Sequence, residues 1–497
     1  MGLAFSAMAF KMLYLQEPSA GGFGLGGAES ARLRTVALVP WSIKPLMGML
    51  SDALPLFGYR RTSYLIVAAL CGVVAFGVVG FLPLGPRQNV PFLFLTYVSA
   101  AGPDVLVDAV TCELSKNAPS HASDLQALSW GSLAVGGIIA APLVGWLAEQ
   151  LAPRVLFMIC IIFPLSILLP GCLGCLQDAR VPSRDRMCNG RWFRENPALA
   201  MSAACLSVVS FSLSGLQLFV TSFLVRGVVT VVAGLVMIIC AFVTLRRISF
   251  MLAKVAVFIF AREALQPYVS DALFQWQRKH PEGPQFSTSF LGVADMFGYL
   301  GLLAGVVIYN NFLTGISFRK IFAFAQVCLV ISNLGDYVMV RRWHLSLGIP
   351  DHIFLLGDEA FTECMRRFFV MPMLVLAAKV CPKDTEATLF AMLMAFSNFG
   401  SSIGQFLGST LLEFLGVVDC YADMALEAPR ALSEEEYVKK GCGNLDKAIL
   451  VKALCRALPL LIIPILVPDG TPDGPADDDP NACERSSEED DTSSEMD

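Results

Sequence analysis

Residues 41–64 read WSIKPLMGMLSDALPLFGYRRTSY, and within this stretch one apolar segment ends, the chain turns in water and a second apolar segment begins. Gly58 allows a turn that a side chain would obstruct. Asp52 lies before the turn, and Arg60 and Arg61 lie after it. We expect these opposite charges to pair across the turn and to separate when the neighbouring helices move apart, which predicts a gate.

Lys44 and Gly48 precede the turn in the first apolar segment. A glycine at the membrane face lets two helices approach closely, so we expect Gly48 to lie in a tight helix contact and group Lys44 with the gating residues. The alternative is a hairpin that the arginines merely anchor on the cytoplasmic side. An anchor requires neither the aspartate nor the two glycines, which favours the gate.

The composition of the whole chain is that of a polytopic membrane protein. Its 497 residues are 55% hydrophobic and 16% charged, with a mean hydropathy of +0.62, which is too apolar for a soluble globular protein. Apolar stretches of about 20 residues recur between short polar turns, which is the length a helix needs to cross a bilayer. Barrel strands would instead appear as alternating segments of about 10 residues. The predicted fold is therefore all-α.

The apolar stretches form a group of six, an inserted pair and a second group of six. The triplet at 116, 119 and 137 (Lys, Pro, Gly) has the same spacing as the triplet at 379, 382 and 400, which supports two related halves. We predict a first six-helix half at 1–176 with a short first helix, a basic loop and two inserted helices at 177–248, a second half at 249–467 and a disordered acidic tail at 468–497. The predicted spans are 2–16, 33–50, 62–84, 91–113, 126–148, 155–176, 198–222, 227–245, 250–275, 288–312, 319–341, 353–380, 386–417 and 446–467.

The net charge of −6 is the sum of two unlike parts. From Asp469 onward the chain has 12 acidic residues and one arginine, which leaves 35 basic and 30 acidic residues in the membrane body. An acidic, Ser-rich tail of this kind cannot bury a core. The basic residues of the body weakly favour a cytoplasmic location for the turn at 54–61.

The spacing of Gly48, Asp52, Gly58, Arg60 and Arg61 resembles the loop between helices 2 and 3 of the major facilitator superfamily. Further motifs narrow the resemblance to the folate/biopterin transporter family of that superfamily: Trp41, Lys44-Pro45, Ser51, Pro55, Tyr59, Asp104-x3-Asp108, Glu113, Phe286 to Gly292, Leu356-Gly357-Asp358-Glu359, Met371-Pro372, Cys381-Pro382, Glu386-Ala387-Thr388, Asn398 and Gly408. The resemblance implies two six-helix halves that alternate access to a central site, and uptake of folates or pterins. Some members of the family are thought to carry other solutes, such as S-adenosylmethionine.

Ionisable residues within apolar helices usually face a cavity or a partner, because a charge in hydrocarbon is costly. Asp104 and Asp108 are four residues apart and share one helical face. Arg366 and Arg367 lie near the centre of the corresponding helix of the second half, and the resemblance implies that both helices line the central cavity. We predict the aspartates as the acidic side and the arginines as the basic side of a substrate pocket.

Glu363, Arg262 and Glu263 are further candidates for the pocket. The alternative for every one of these residues is an interhelical ion pair that only fixes the packing. A pterin offers adjacent N–H donors that a carboxylate accepts as a pair, and the glutamate of a folate offers carboxylates that suit arginine. A carboxylate in a low dielectric can also titrate near neutral pH, which allows proton coupling.

The cysteines and histidines indicate no metal or cofactor. The 15 cysteines lie mostly in apolar helices and the four histidines are dispersed, so no metal cluster and no cofactor are expected. Cys420 and Cys442 bracket a polar loop on the predicted non-cytoplasmic side, and we expect them to be able to form a disulfide bond.

The predicted function is secondary active transport of folates or pterins, with a small-molecule substrate, membrane lipids and protons as partners and without nucleic acid. The alternatives are a transporter of another solute, such as S-adenosylmethionine or an amino acid, and a non-transporting sensor. A membrane enzyme is disfavoured, because the sequence has no His-Glu-x-x-His pair and no Gly-x-Ser-x-Gly elbow. The plasma membrane is the expected location, with a plastid-type membrane as the alternative.

Overall fold

A computed structural model describes residues 1–54, 56–59, 61–117, 122–174, 193–194, 197–247, 250–280, 282–380, 386–417 and 444–472, without the side chains of Asp52, Leu199, 109–127 and 377–391. The regular elements within these residues are α-helices, a 3₁₀ turn at Pro18–Ala20 and a π-helical turn at Tyr309–Leu313, and one isolated bridge joins Leu56 and Tyr59. The helices are α1 Gly2–Leu15, α2 Gly27–Ala37, α3 Val39–Ser42, α4 Lys44–Ala53, α5 Thr62–Phe81, α6 Pro86–Asn117, α7 Ala122–Gln150, α8 Pro153–Cys160, α9 Ile162–Cys172, α10 Pro197–Phe219, α11 Phe223–Leu245, α12 Phe250–Ala264, α13 Ser270–Lys279, α14 Thr288–Ile308, α15 Phe318–Val340, α16 Trp343–Ser346, α17 Asp351–Val380, α18 Glu386–Phe414, α19 Leu445–Ala457 and α20 Pro459–Leu466.

Among the described residues, nine helical segments are long and apolar enough to cross a membrane. They include α5, α10, α11 and α15, and they coincide with nine of the predicted spans. The apolar helix α1 is shorter, at 14 residues. The prediction of an all-α polytopic membrane protein is confirmed.

The second predicted span, 33–50, is longer and less regular than expected. It runs as α2, α3 and α4 from Gly27 to Ala53, with one non-helical residue between successive pieces. Pro40 and Pro45 each lie in the first turn of a new piece, where a missing N–H leaves no helical hydrogen bond unmade. The prolines therefore explain why the helix restarts twice.

The prediction of one continuous span at 250–275 is wrong, because the helix is interrupted between α12 and α13. Pro267 has no N–H and disfavours a helical conformation in the residue before it. The N–H of Tyr268 donates instead to the carbonyl of Gly404 in α18, at 3.1 Å. A Cβ on Gly404 or Gly408 would lie 2.3 or 2.0 Å from carbonyl oxygens of the interruption. These glycines let the interrupted backbone rest directly on α18.

The membrane helices pack as two bundles. In the first, α5 contacts α6, α8 and α9, and α1 contacts α7 and α8; in the second, α14 contacts α17, α12 contacts α18, and α15 contacts α17 and α19. The bundles meet along two seams, α7 against α14 and α2 to α4 against α18. The domain boundaries at 176, 248 and 467 stay predictions.

The two helices between the bundles, α10 and α11, pack against each other and lie across the second seam. Helix α10 contacts α2 to α4, and α11 contacts α12 and α18. Gln217 donates to Thr230 at 2.8 Å within the pair. Arg226 of α11 donates from Nη2 to Oε1 of Glu413 in α18 at 2.5 Å, and Arg32 of α2 approaches the same carboxylate at 3.6 Å.

The first residues of the predicted acidic tail contact the second bundle. The N–H of Phe318 donates to the carbonyl of Gly470 at 2.8 Å, and Arg319 pairs with Asp469 at 3.1 Å. Residues 468–472 therefore lie against the start of α15, and the disorder of the tail stays a prediction. Residues 473–497 lie outside the described residues.

Candidate functional site

A cavity of about 560 Å³ lies between the two bundles, at the junction of α1, α2, α3, α6, α7, α14 and α17. Its described wall combines cations, carboxylates and aromatic rings. The charged residues are Lys11, Arg34, Arg366, Arg367, Asp295, Glu359 and Glu363, and the aromatic ones are Trp41, Tyr97, Trp130 and Tyr299. A cavity of this size and composition suits a small solute with both apolar and charged parts.

Three residues predicted for the pocket lie together on the cavity wall. Glu363, Arg366 and Arg367 share one face of α17 because they are three and four residues apart. Glu363 contacts both arginines: its Oε1 is 2.8 Å from Arg366 Nη1, and its Oε2 is 3.5 Å from Arg367 Nη2. One carboxylate thus faces two guanidinium groups. The substrate-binding role of these residues stays a prediction.

Arg367 is the most enclosed of the cations that line the described wall. It is 7% exposed, and its guanidinium lies 4.7 Å from the ring centroid of Trp130. Its Nε and Nη1 have no hydrogen-bond partner among the described residues. Two buried donors therefore lack an acceptor at the edge of the cavity.

Glycines of α14 bring α17 against the cavity. A Cβ on Gly301 would lie 2.1 Å from the carbonyl oxygen of Ala360, and a Cβ on Gly305 would lie 2.8 Å from Cβ of Arg367. Small residues at such positions allow two membrane helices to approach closely. The position of the Arg367 side chain therefore depends on the absence of a side chain at Gly305.

Asp295 of α14 and Glu359 of α17 supply the other carboxylates of the wall. Asp295 is exposed to the cavity and Glu359 is half-buried. Neither carboxylate forms a hydrogen bond or ion pair with a described residue. The sequence analysis did not select them, although both are ionisable residues within apolar helices, and that signal could have identified them.

Asp104 and Asp108 do not line this cavity, and their role as the acidic side of a substrate pocket stays a prediction. Lys44 of α4 pairs with Asp104, and its Nζ is 3.8 Å from Oδ2 of Asp108. The same ammonium lies 4.8 Å from the ring centroid of Trp41. The helical spacing correctly predicted one shared face, but a lysine that is 5% exposed occupies that face.

Arg262 and Glu263 also lie outside the cavity wall. They pair with each other, and the Arg262 guanidinium lies 3.6 Å from the ring centroid of Phe369. Tyr268 donates to Glu263 Oε2 at 2.9 Å. These contacts hold the interruption between α12 and α13, which agrees with the alternative that the pair fixes packing.

In the described part of the turn at 54–61, Gly58 has the backbone conformation that the sequence predicts. Gly58 has φ +81°, in the left-handed region where a glycine is favoured. The hydroxyl oxygen of Tyr64 lies 2.9 and 2.8 Å from the carbonyl oxygens of Leu50 and Leu54, which share its one proton. These bonds tie the end of α4 to the start of α5.

The other gating residues are described only in part. Arg60 and the side chain of Asp52 lie outside the described residues, so their ion pair stays a prediction. Arg61 donates from Nη1 to the carbonyl of Leu106 in α6 at 3.4 Å. A Cβ on Gly48 would meet Val105 at 3.5 Å, an ordinary contact distance, so the predicted tight approach at Gly48 is wrong for this conformation.

We call the membrane face at residues 54–61 the turn side and the face at residues 16–26 the opposite side. On the opposite side, Arg34 Nη2 is 3.0 Å from Oδ1 of Asp271, and Ser30 donates to Oδ2 of Asp271 at 3.2 Å. Lys279 donates to Glu17 at 2.5 Å and holds the pKa of that carboxyl below its usual value. These contacts join α2 and the segment after α1 to α13, near the part of the cavity lined by Arg34.

The structure offers no described metal site. No group of three or more His, Cys, Asp or Glu side chains that could hold a metal ion occurs in the described part of the chain. Cys420 and Cys442 lie outside the described residues, so their disulfide bond stays a prediction.

Comparison with known proteins gives consistent results. The sequence model described as BT1 family matches residues 7–481. "Probable folate-biopterin transporter 6" of Arabidopsis thaliana is 28% identical over 441 residues, which are 87% of this chain and 73% of that protein. The "Folate-biopterin transporter" of Synechocystis sp. is 28% identical over 451 residues, which are 90% of this chain and 76% of that protein. "Probable folate-biopterin transporter 8, chloroplastic" of Arabidopsis thaliana is 24% identical over 438 residues, which are 87% of this chain and 68% of that protein.

Solved structures show the same fold. A POT family transporter in complex with a thioalcohol-conjugated peptide superposes with a TM-score of 0.64 over 93% of each chain, at 14% identity. The POT family transporter PepTSo superposes with a TM-score of 0.62 over 94% of each chain, at 13% identity. At these identities the likeness shows the fold alone, which is the major facilitator fold that the sequence predicts.

Proposed function

The chain belongs to the BT1 family and is an integral membrane transporter, and we propose that its solutes are folates or pterins, carried by alternating access through the central cavity. In this proposal, transport is secondary active and coupled to protons. The proposal assigns the chain no enzymatic activity. The names of the relatives at 28% identity support this solute class.

The observation that carries the proposal is the mixed composition of the cavity wall. Arg367 keeps two donors without a described acceptor beside Trp130, and Asp295 presents a carboxylate to the same space. A pterin ring is planar and rich in N–H donors, and a folate adds two carboxylates. Aromatic faces, carboxylates and guanidinium groups are the complementary partners for these features.

Uptake by the purified protein in liposomes tests the proposal. We expect saturable uptake of labelled folate or biopterin above that of protein-free liposomes, and faster uptake when an inward pH gradient is imposed. Arg341→Gln is a matched control, because Arg341 is an exposed arginine that pairs with Asp446 away from the cavity. Absence of saturable uptake of both solutes at normal incorporation would reject the solute assignment.

The same assay separates the alternatives. S-adenosylmethionine and amino acids are added as competitors of labelled folate, and each is also tested as a labelled substrate. A carrier of one of these solutes would transport it in place of folate. A non-transporting sensor would bind a solute in the detergent-solubilised state and show no uptake.

Gating by the turn at 54–61 is part of the proposal. Asp52→Asn and Arg60→Gln should each slow uptake while membrane abundance stays normal, because the predicted ion pair would be lost. Normal uptake by both variants would leave the arginines with an anchoring role.

We propose the plasma membrane as the site of action, with a plastid membrane as the alternative. The chloroplastic relatives at 24% identity support the alternative. Fractionation of cells that produce the tagged protein distinguishes the two membranes.

A further inference from the structure

The hydrogen-bonding capacity of Arg367 is only partly used. Glu363 is shared between Arg366 and Arg367, at 2.8 and 3.5 Å. Nε and Nη1 of Arg367 have no partner among the described residues, although the side chain is only 7% exposed. A buried charged donor without an acceptor is unfavourable, so this corner of the cavity is suited to a second carboxylate that arrives with the solute.

The orientation of the Arg367 guanidinium is fixed before that carboxylate arrives. Its stem packs against Gly305, where a Cβ would lie 2.8 Å from Cβ of Arg367. Its guanidinium lies 4.7 Å from the ring centroid of Trp130. A held guanidinium presents its donors as a planar fork that matches a carboxylate.

A second part of the wall has the complementary chemistry. Glu359 lies one helical turn before Glu363 on α17, and its Oε2 would be 3.8 Å from a Cβ on Gly298 of α14. Asp295 lies on α14 near Gly298 and is exposed to the cavity. Among the described residues neither carboxylate has a hydrogen bond or a direct ion pair, although Lys11 acts electrostatically on Asp295 and Arg366 on Glu359. The carboxylate oxygens therefore remain available to N–H donors.

We propose that the cavity binds the two ends of its solute at separate places, with Arg367 holding a carboxylate and Glu359 and Asp295 holding the N–H donors of the planar ring. This inference rests on the proposed function and makes it more specific: the preferred solute has both a carboxylate and a nitrogen-rich ring. A carboxylated folate then binds more tightly than a pterin without carboxylates.

Three probes separate the two ends. Folate has both ends, biopterin has only the ring, and p-aminobenzoylglutamate has only the carboxylate end. Binding of each probe to the purified full-length protein is measured with Arg367→Gln and Glu359→Gln, with Arg341→Gln as the control. Arg367→Lys keeps the positive charge but loses the planar fork.

We expect Arg367→Gln to weaken folate and p-aminobenzoylglutamate by about 10- to 100-fold, which corresponds to the loss of a charge-assisted hydrogen bond, and to change biopterin by less than about twofold. Arg367→Lys should recover part of the folate affinity. Glu359→Gln should weaken folate and biopterin and leave p-aminobenzoylglutamate unchanged. Arg341→Gln should leave all three affinities as in the wild type.

Two results would overturn the inference while the proposed function stands. Equal losses for all three probes in Arg367→Gln would assign this arginine a packing role, and unchanged affinities in both variants would assign the two ends of the solute to other residues of the cavity. If the wild-type protein binds none of the probes, the proposed function fails first and the assignment of ends fails with it. Melting temperatures of all variants show whether a loss of binding reflects a loss of fold.

Discussion

The substitution Gly292→Ala tests whether the close contact between α7 and α14 holds the opposite side shut. A Cβ at Gly292 would lie 2.5 Å from the carbonyl oxygen of Ala141 and 2.9 Å from Cα of Gly145. Both neighbours are backbone atoms, so no side chain can rotate away. Contacts of other Cβ atoms rarely fall below 3.4 Å, so the helices must separate by roughly 0.9 Å at this point.

The magnitude follows from the cost of overpacking. Inserting a methyl group into a close contact costs about 1 to 3 kcal/mol. This cost destabilises the conformation in which α7 and α14 are in contact near Gly292. A conformation in which the two helices are separated there does not carry the cost. An energy difference of this size changes a two-state equilibrium by about 5- to 150-fold. The variant should therefore favour the conformation that is open on the opposite side.

Hydrogen-exchange mass spectrometry of the purified protein measures this shift. Backbone N–H groups of α13 and of residues 16–26, which join the bundles on that side, should exchange faster in Gly292→Ala than in the wild type. Gly131→Ala is the matched control, because it lies in α7 where a Cβ would meet nothing within 4 Å. Equal exchange in Gly292→Ala and Gly131→Ala would refute the reasoning.

The remaining predictions concern single contacts. Lys44→Met should lower uptake by about tenfold because a charged partner of Lys44 loses its counter-ion, and adding Asp104→Asn should restore part of the uptake. Uptake normalised to membrane abundance measures both effects. No recovery in the double variant would contradict the prediction. Gly48→Ala should leave the melting temperature unchanged or raise it, since the methyl group meets only an ordinary contact; a clear fall would show that the contact is tight. Because the bond from Lys279 lowers the pKa of Glu17, its stabilising effect is present at neutral pH and is lost as the pH falls through that lowered pKa. The melting temperature of the wild type should therefore fall more on acidification than that of Glu17→Gln, and parallel profiles would argue against the linkage.

The helices and the turn could be predicted from the sequence because their causes are local. Apolar runs of membrane-spanning length gave nine segments that the structure confirms among the described residues. The left-handed conformation of Gly58 follows from the residue itself. The interruption of the 250–275 span could also have been predicted, because Pro267 has no N–H and cannot continue a helix without the loss of a hydrogen bond.

The partners of charged residues could not be predicted in the same way. Helical spacing places Asp104 and Asp108 on one face, but it does not say which helix covers that face. Lys44 does so from a helix some 60 residues away, and this depends on how α4 and α6 pack. Arg34 was overlooked for a related reason: it lies near the start of the predicted span at 33–50, whereas α2 begins at Gly27 and carries Arg34 to the cavity wall.

The helix pair that lies across the second seam, α10 and α11, has a consequence for the surrounding lipid. Helix α11 is bound to α18 by the ion pair of Arg226 and Glu413, whereas no described hydrogen bond joins α10 to α2, α3 or α4. Lipid tails replace apolar helix contacts at little cost, so the pair separates more easily from the first bundle than from the second. If the proposed alternating access moves the bundles apart along this seam, we expect a lipid-accessible cleft to open and close beside α10. We then expect turnover to depend more strongly than solute affinity on the lateral pressure and acyl-chain order of the bilayer.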